Sequence, residues 1–433
     1  MFDYYLRSAF RKSLAHPWLT VATVLIVGLG VAACMTTLSV LRAATRDPIP
    51  SLSASLYAPA ISTSGQTQAT LAAATGLADY DTAQRLLGSD RNAVFADYAL
   101  SGIALPQQSG LHPMPVNGHA VSTSFFSMLD VPFAFGAPWS ATEEDQREPL
   151  VVISSRLNNA IFSGRNSVGS TLRYNDSTLR IVGVLRDWDP QPRFYDVNAG
   201  NGYPGTDEDF FVPLQSALSF QWRSSGTVAC IESPDGQGFK ALLGSSCLWL
   251  SLIAKASTQA DLGKLDRALE SGTGKFAGSG AKASARMIPL RSLLESKHIV
   301  PDGVRSSVAV SIALFIGCLV TVASLMMSNY IGRLPELGLR RALGARKGDI
   351  FRQLLVEAGV IGALGGAVGI ALTFLGVATV HRLLPSGPAQ LAALPASSVA
   401  LALLGAMITT LISGGYPALS AARVMPFRAI KQG

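Results

Sequence analysis

Four long intervals of the chain carry no charged side chain, and they dominate its pattern of apolar and polar positions. Each holds the ~20 apolar residues that a helix needs to cross a bilayer. The intervals are bounded by Lys12 and Arg42, Arg305 and Arg333, Glu357 and His381, and Arg382 and Arg423. We therefore predict transmembrane helices at residues 18–42, 305–331, 358–380 and 398–420. The first is too long for a signal-peptide core, so we expect it to remain as an anchor.

Between the first two predicted helices lies a long region, residues 43–304, whose composition is that of a folded domain. Alternating apolar stretches such as Leu150–Ile153 and Leu179–Leu185 predict strands. Residues 61–76 and 271–285 are rich in Ser, Thr, Gly and Ala, which predicts loops or mobile edges. The predicted fold class is an α-helical membrane protein with four transmembrane helices and a large mixed α/β extracytoplasmic domain between helices 1 and 2.

The distribution of charge predicts the orientation. The short segments 1–17, 332–357 and 421–433 contain 12 Lys and Arg residues against 4 acidic residues. The positive-inside rule places them, and both termini, in the cytoplasm. The domain at 43–304 and the short loop at 381–397 would then be periplasmic in a bacterial inner-membrane protein. The net charge of +7 thus indicates topology and not nucleic-acid binding. Aromatic and basic residues in segment 1–17 predict an amphipathic helix on the membrane lipid.

The four cysteines divide according to this topology. Cys34 and Cys318 lie in predicted membrane helices, whereas Cys230 and Cys247 lie in the extracytoplasmic domain. A periplasm is oxidising, so Cys230 and Cys247 could form one disulfide bond. Two unpaired buried thiols are the alternative, because the sequence does not show the distance between them.

Residue patterns for catalysis or nucleotide binding are absent from the sequence. The stretch Gly272–Phe276 resembles part of a P-loop but lacks the upstream Gly and the Ser or Thr that binds magnesium. The histidines are scattered without metal-ligand spacing, which favours incidental surface or structural roles. They are His16, His112, His119, His298 and His381. We predict no catalytic residue, no metal site and no cofactor bound by this chain.

Two further features of the extracytoplasmic region could each belong either to a binding site or to the ordinary structure of the domain. The acid-rich stretches 187–189 and 207–209 could bracket a cation, although solvated loops are the favoured interpretation. An aromatic and proline cluster near them could anchor a partner, but a local core of the domain is the favoured interpretation. Its members are Trp188, Pro190, Pro192, Phe194, Tyr195, Phe210 and Phe211.

Glycines spaced four residues apart predict close helix packing in the membrane. Gly362 with Gly366, and Gly365 with Gly369, form two small-residue faces on the third predicted helix. Contact within the protomer is favoured over dimerisation for these two faces. Residues Gly28 and Ala32 form a comparable, weaker pair on the first helix.

The run from Arg333 to Asp349 predicts a short charged helix between the second and third membrane helices. Pro335 suits a first helical position and Gly344 a left-handed stop. Such a helix could meet only a cytoplasmic partner. An ordinary positive-inside loop is the alternative.

This run and the C-terminal stretch Tyr416–Ile430 resemble the signatures of MacB/FtsX-type ABC transporter permeases, in a form without a fused ATPase domain. The stretch Pro149–Leu185 is similar to that family's periplasmic domain. The resemblance implies that the short helix couples to a separate cytoplasmic ABC ATPase dimer, which binds ATP and Mg. One departure from the family pattern is Leu334–Pro335, because the family commonly has a polar pair at these two positions. The coupling residues that the resemblance implies are Glu336, Leu337, Gly338, Leu339, Arg340, Arg341, Ala342, Leu343, Gly344 and Ala345.

The family implies mechanotransmission, in which ATP hydrolysis moves the periplasmic domain without passage of substrate through the membrane. Export through a periplasmic adaptor and an outer-membrane channel is the leading hypothesis. The alternatives are an FtsX-like signal relay that controls a periplasmic hydrolase, and a lipoprotein-releasing permease of the LolC/LolE class. The family also implies a second permease copy or a related permease, with helices 1 and 2 at the dimer contact.

Overall fold

The computed structural model describes residues 17–45, 47–63, 74–105, 112–188, 190, 192–198, 208–230, 234, 236, 238–272, 283–297, 302–383 and 396–423. It divides into two compact units, one formed by residues 1–45 with 300–433 and the other by residues 46–299. The predicted amphipathic segment 1–17 lies, apart from its last residue, outside the described residues. So do most of the loop 381–397 and most of the tail 421–433.

The described residues of the unit at 46–299 form one sheet of eleven strands. The strands are β1 Leu56–Thr63, β2 Leu77–Ala78, β3 Val94–Leu105, β4 Met114–Val121, β5 Phe133–Gly136, β6 Leu150–Ile153, β7 Thr171–Tyr174, β8 Ser177–Leu185, β9 Glu208–Pro213, β10 Leu250–Lys255 and β11 Ala283–Pro289. Their order is β11-β1-β10-β3-β4-β9-β6-β8-β5, with β2 beside β10 and β7 beside β3 and β8. The two predicted strands are present as β6 and within β8.

Most neighbouring strands are antiparallel, but β4 with β9 and β6 with β8 are parallel. The apolar faces of the central strands form the main core of this unit together with Trp249, Leu157 and Leu265. Strand β6 is buried along its whole length, as its unbroken apolar sequence requires.

Helices cover this sheet and follow α1 Pro17–Ala44 along the chain. They are α2 Tyr80–Ser89, α3 Ser124–Met128, α4 Ala141–Asp145, α5 Ser155–Phe162, α6 Leu214–Ser219, α7 Phe239–Gly244, α8 Gln259–Glu270 and α9 Leu290–Ser296. Helix α4 begins with a capping box, because the Ser140 side chain accepts from the Glu143 N–H while the Glu143 carboxylate accepts from the Ser140 N–H.

The prediction of loops at 61–76 and 271–285 is wrong at 61–63 and 283–285, which are strand, whereas residues 75–76 and 271–272 are turns as expected. The residues Ile61–Thr63 end β1 and pair with Ala283–Ala285 of β11. The hydroxyls of Ser62 and Ser284 lie 2.8 Å apart across that pair. The backbone hydrogen bonds that join β1 to β11 at the edge of the sheet do not require apolar side chains. The Ser- and Ala-rich composition therefore did not indicate these strands. Residues 64–73 and 273–282 lie outside the described residues.

The described residues of the other unit include four helices that are long and apolar enough to cross a membrane, with spans at Pro17–Arg42, Ser306–Gly332, Lys347–Thr379 and Ala402–Leu419. The first belongs to α1, and the others to α10 Asp302–Gly332, α12 Lys347–Leu383 and α13 Ala396–Arg423. The short α11 Leu334–Ala342 joins α10 to α12. Helix α1 packs on α10 and α12, and α13 packs on the same two helices.

Helix α12 begins well before the predicted span at residues 358–380. Its 37 residues extend about 55 Å at the usual rise, which exceeds the ~30 Å hydrocarbon core of a bilayer. The segment 347–357 therefore extends the helix ahead of the interval without charged side chains, although we predicted it as part of a connecting loop.

Candidate functional site

The connecting helix α11 has the local structure expected from its sequence. It covers Leu334–Ala342, and the Leu343 N–H still donates to the Leu339 carbonyl at 3.0 Å. Gly344 follows with φ of +101°. A left-handed residue of this kind ends a helix and suits glycine. The chain then turns into α12, where the acidic Asp349 lies in the first turn and complements the positive end of the helix dipole.

Helix α11 buries one leucine and exposes two. Leu337 is 3% exposed and belongs to a core with Ile350 and Leu354 of α12. Leu339 is 59% exposed and Leu343 80% exposed, and Ala342 between them is exposed as well. The predicted apolar face of Leu339, Ala342 and Leu343 is therefore not covered by the described part of this chain.

The remaining predicted coupling residues lie around that face. Glu336 is exposed, Gly338 is buried beside Leu337, and Ala345 is half-buried after the helix. The backbone of Arg340 and Arg341 belongs to α11, and their side chains lie outside the described part of the structure.

A buried ion pair ties the start of α11 to α12. Arg333 Nη1 lies 2.7 Å from Glu357 Oε1, and both side chains are largely buried. One turn earlier, the Tyr330 hydroxyl donates to the Leu354 carbonyl at 3.3 Å. These contacts hold the ends of α10 and α12 together at the base of the connecting helix. No local sequence pattern indicates them, because the two residues of each contact are separated by 24 positions along the chain.

The two glycine faces of α12 contact different helices. A Cβ at Gly365 would lie 2.6 Å from Val27 Cγ1, and one at Gly369 would lie 2.9 Å from Val31 Cβ, so this face meets α1. The Gly362 and Gly366 face meets α13 at Ala406, Thr410 and Leu403. At Gly362, Gly365 and Gly369 a Cβ would lie less than 3.0 Å from a neighbouring atom, so the observed close approach of the helices depends on glycine there.

The weaker pair on α1 is already used within the chain. A Cβ at Gly28 would lie 3.3 Å from the Gly365 carbonyl, and Ala32 is buried. The family-based expectation of a dimer contact on helix 1 therefore does not apply to the Gly28 face, which α12 covers. The sequence could identify the small residues but not the helix that each face meets.

Cys230 and Cys247 are joined by a disulfide bond in the structure. Beside it, Ala229 and Leu248 exchange two backbone hydrogen bonds of 2.9 and 2.8 Å. The bond thus closes a loop next to the buried Leu248 and Trp249. Cys34 and Cys318 are free.

The interpretation of the acidic stretches as solvated loops is wrong at Glu208 and Asp209, and of the surface or structural roles expected for His119 the structural one applies. His119, Glu208 and Asp209 are withdrawn from solvent, whereas Asp187 and His112 are exposed. Burial raises the pKa of Glu208 to about 7. His119, Asp196 and Glu208 converge closely enough to hold a metal ion. The nearby Phe194, Tyr195, Phe210 and Phe211 are buried, as the local-core interpretation predicted.

Two family models match the chain. The MacB-like periplasmic core domain matches residues 20–271, and the FtsX-like permease C-terminal model matches residues 308–426. The crystal structure of the periplasmic region of MacB from Actinobacillus actinomycetemcomitans aligns with 51% of this chain and 83% of that one, at 15% identity and a TM-score of 0.34.

Similar proteins include two pyoverdine export ATP-binding/permease proteins PvdT. The Pseudomonas aeruginosa protein is 25% identical over 355 residues, which is 78% of this chain and 47% of that protein. The Pseudomonas syringae protein is 28% identical over 321 residues, 74% of this chain and 43% of the relative. A macrolide export ATP-binding/permease protein MacB of Bdellovibrio bacteriovorus is 24% identical over 298 residues, 69% and 41% of the two chains.

This chain spans less than half the length of these curated relatives. The periplasmic-core match alone covers more than half of the chain, and the permease match covers the helices that follow it. The chain therefore belongs to the MacB/FtsX-type family of ABC transporter permeases.

Proposed function

We propose that this permease couples ATP hydrolysis by a separate cytoplasmic ABC ATPase dimer to movement of its extracytoplasmic domain. The ATPase binds ATP and Mg, and this chain transmits the motion without catalysing a reaction. The protein lies in the bacterial inner membrane with both termini in the cytoplasm and residues 43–304 in the periplasm. The positive-inside distribution of Lys and Arg supports this orientation.

The exposed apolar face of α11 carries the proposal. Leu339 and Leu343 are exposed at the polar end of the membrane unit, whereas Leu337 of the same short helix is buried. Burying an exposed leucine contributes about 1.5–3 kcal/mol. Two such side chains could therefore supply a substantial part of the binding free energy of an interface.

The anchoring of α11 supports its role as a lever. Leu337 packs into the core formed with Ile350 and Leu354, and the Arg333–Glu357 pair fixes the start of the helix against α12. Displacement of α11 by an ATPase would therefore move α10 and α12 with it, since packed helices shift as rigid elements.

Export is the proposed physiological output. The relatives carry names of pyoverdine and macrolide exporters, so we propose that the permease pairs with a second copy or a related permease and delivers periplasmic substrate to an adaptor and an outer-membrane channel. A signal relay to a periplasmic hydrolase is less favoured because the extracytoplasmic unit at 46–299 is large.

Lipoprotein release is a second candidate, favoured by an apolar groove between α10 and α13. The groove is lined by Val320, Ala323, Ser324, Met327, Ser328, Ile331, Tyr416 and Pro417. Such a surface could hold an acyl chain. Partners captured with the wild-type protein decide between the outputs: an adaptor and channel support export, whereas a lipoprotein chaperone supports release.

The experiment is co-purification of the ATPase in mild detergent with Leu339→Asp and Leu343→Asp. Each change would place a charge in the proposed contact, so we expect loss of the ATPase while insertion and folding persist. Ile103→Asp, at a half-exposed residue of the extracytoplasmic unit, is the control and should retain it. Equal capture of the ATPase by all three variants would overturn the proposal.

A further inference from the structure

The extracytoplasmic unit contains a buried polar cluster that includes no residue of the connecting helix α11. It brings His119 of β4 and Asp97 of β3 together with Asp196 and with Glu208 of β9. The His119 ring is 3% exposed and stacks on Phe211 at a centroid distance of 6.2 Å. Tyr195 packs edge-on against the ring at 5.5 Å. Titratable groups buried among aromatic rings need compensating partners, because isolated charges are costly there.

The backbone aims these side chains at one point. His119 pairs with Phe211 across the parallel β4–β9 ladder, while Asn117 pairs with Glu208. An irregularity between Asn117 and Gly118 leaves an extra residue in β9, and bulges of this kind redirect side chains. It allows Glu208 and Phe211, three positions apart, to share the face occupied by His119. Without it, an odd spacing would place them on opposite faces.

The distances at His119 Nε2 fit metal ligation better than direct hydrogen bonding. Asp196 Oδ1 lies 3.4 Å and Glu208 Oε1 3.6 Å from Nε2, longer than the ~2.9 Å typical of an N–H···O bond. One ring N–H could make at most one short, linear hydrogen bond to these two oxygens. Ligand atoms about 2.1 Å from a tetrahedral zinc ion lie about 3.4 Å apart, which is close to both distances from Nε2.

The other ring nitrogen has the partner that a metal-binding histidine needs. His119 Nδ1 lies 3.0 Å from Asp97 Oδ2, and both side chains are buried. A carboxylate that accepts the Nδ1 proton leaves the Nε2 lone pair free for a metal and orients the ring. Asp97 is thus a positioning residue.

Glu208 supplies an independent indication of a missing ligand. Its Oε2 accepts a hydrogen bond from the Tyr195 hydroxyl at 2.6 Å. Its Oε1 is buried and has no hydrogen-bond partner among the described residues, although the side chain is nine-tenths buried. A buried carboxylate oxygen without a partner is costly, and this one faces Nε2.

The local charges also favour a dication. Asp97, Asp196 and Glu208 together carry three negative charges when ionised, and Arg193 supplies a nearby positive charge. With neutral His119 as a ligand, a divalent cation would balance the remaining charge. Carboxylate and imidazole ligands together suit zinc and its first-row neighbours.

We propose that His119 Nε2, Asp196 and Glu208 bind one divalent transition-metal ion of the zinc class, oriented by Asp97. The ion would fasten the segment Arg193–Asn198 to strands β4 and β9 and so stabilise the extracytoplasmic unit. The sequence could not reveal this site, because its ligands come from three separate segments and lack the short spacing of a metal motif.

The test uses the full-length protein in detergent, purified through a tag without histidine and analysed by elemental mass spectrometry. We expect about one zinc-class ion per chain, which a strong chelator removes with a lowered melting temperature and which added Zn²⁺ restores. Glu208→Gln and Asp196→Asn should lose the ion. His112→Asn, at an exposed histidine, should retain it.

Two further measurements keep the test decisive if a ligand variant does not fold. Asp97→Asn should weaken metal affinity about 10–100-fold, as loss of an orienting partner does. X-ray absorption of the zinc-loaded wild type should show nitrogen and oxygen ligands at about 2.0–2.2 Å. Metal retained equally by Glu208→Gln and wild type, or a wild type that binds none and ignores chelator and Zn²⁺, would overturn the proposal.

Discussion

Replacement of Gly365 by alanine tests the packing of the membrane unit. A Cβ there would lie 2.6 Å from Val27 Cγ1 and 2.8 Å from Val27 Cβ. Optimal carbon contacts are about 3.5–4.0 Å, so the added methyl group overlaps Val27 by about 1 Å. Val27 is buried and its β-branched side chain has few alternative rotamers. Helices α1 and α12 must therefore separate.

The expected cost of this overlap is about 1–3 kcal/mol, as for other overpacked sites. Alanine also favours a helix over glycine by about 1 kcal/mol, which offsets part of the loss. Gly317→Ala isolates that second effect, because a Cβ at Gly317 in α10 meets none of the described atoms within 4 Å. We expect Gly365→Ala to be less stable than Gly317→Ala by about 1–3 kcal/mol.

The assay is unfolding of both variants in mixed detergent micelles, followed by circular dichroism, with the wild type measured in parallel. Gly365→Val should lose more stability than Gly365→Ala, since its larger side chain cannot be accommodated by a small helix shift. Equal free energies of unfolding for Gly365→Ala and Gly317→Ala would refute the assigned contact between α1 and α12.

Three other predictions concern orientation, the disulfide bond and pH. A membrane-impermeant thiol reagent added from the periplasm should label Gln146→Cys but not Arg346→Cys; labelling of the second would reverse the orientation. Cys230→Ser should lower the free energy of unfolding by about 2–5 kcal/mol, and peptide mapping that finds two free thiols in the wild type would count against the bond. Burial raises the pKa of Glu144 despite hydrogen bonds from Thr123, so the folded state holds its proton more tightly than the unfolded state. The stability of the wild type relative to Glu144→Gln should therefore fall as pH rises above about 4.5, in denaturant titrations across pH, and a rise would contradict the assignment.

The sequence predicted the membrane helices well, because a charge-free interval of sufficient length has few other structures open to it. It also predicted the short helix before Gly344, whose stop depends on a single local residue. Both features depend only on residues that are close together in the sequence. The start of α12 was missed because the polar segment from Lys347 can be helical without being apolar.

Features that depend on distant residues could not be predicted. The pairing of β1 with β11 joins positions more than 200 residues apart, such as Ser62 and Ser284. Composition describes neither that register nor the partner of each glycine face. The same limit hid the cluster around His119: its carboxylates become neighbours only after the β4–β9 ladder forms with its irregularity at Asn117.

The central claim is that motion of α11 reaches the extracytoplasmic unit. The direct test is a distance measurement between spin labels at Ser257→Cys in two copies of the permease, reconstituted with its ATPase. Ser257 is exposed, and the free thiols Cys34 and Cys318 would first be replaced by alanine. ATP should change the label distance in this background, and Leu343→Asp should abolish the change while leaving the nucleotide-free distance intact. An ATP-dependent change that persists in Leu343→Asp, or none in the parent, would contradict the account.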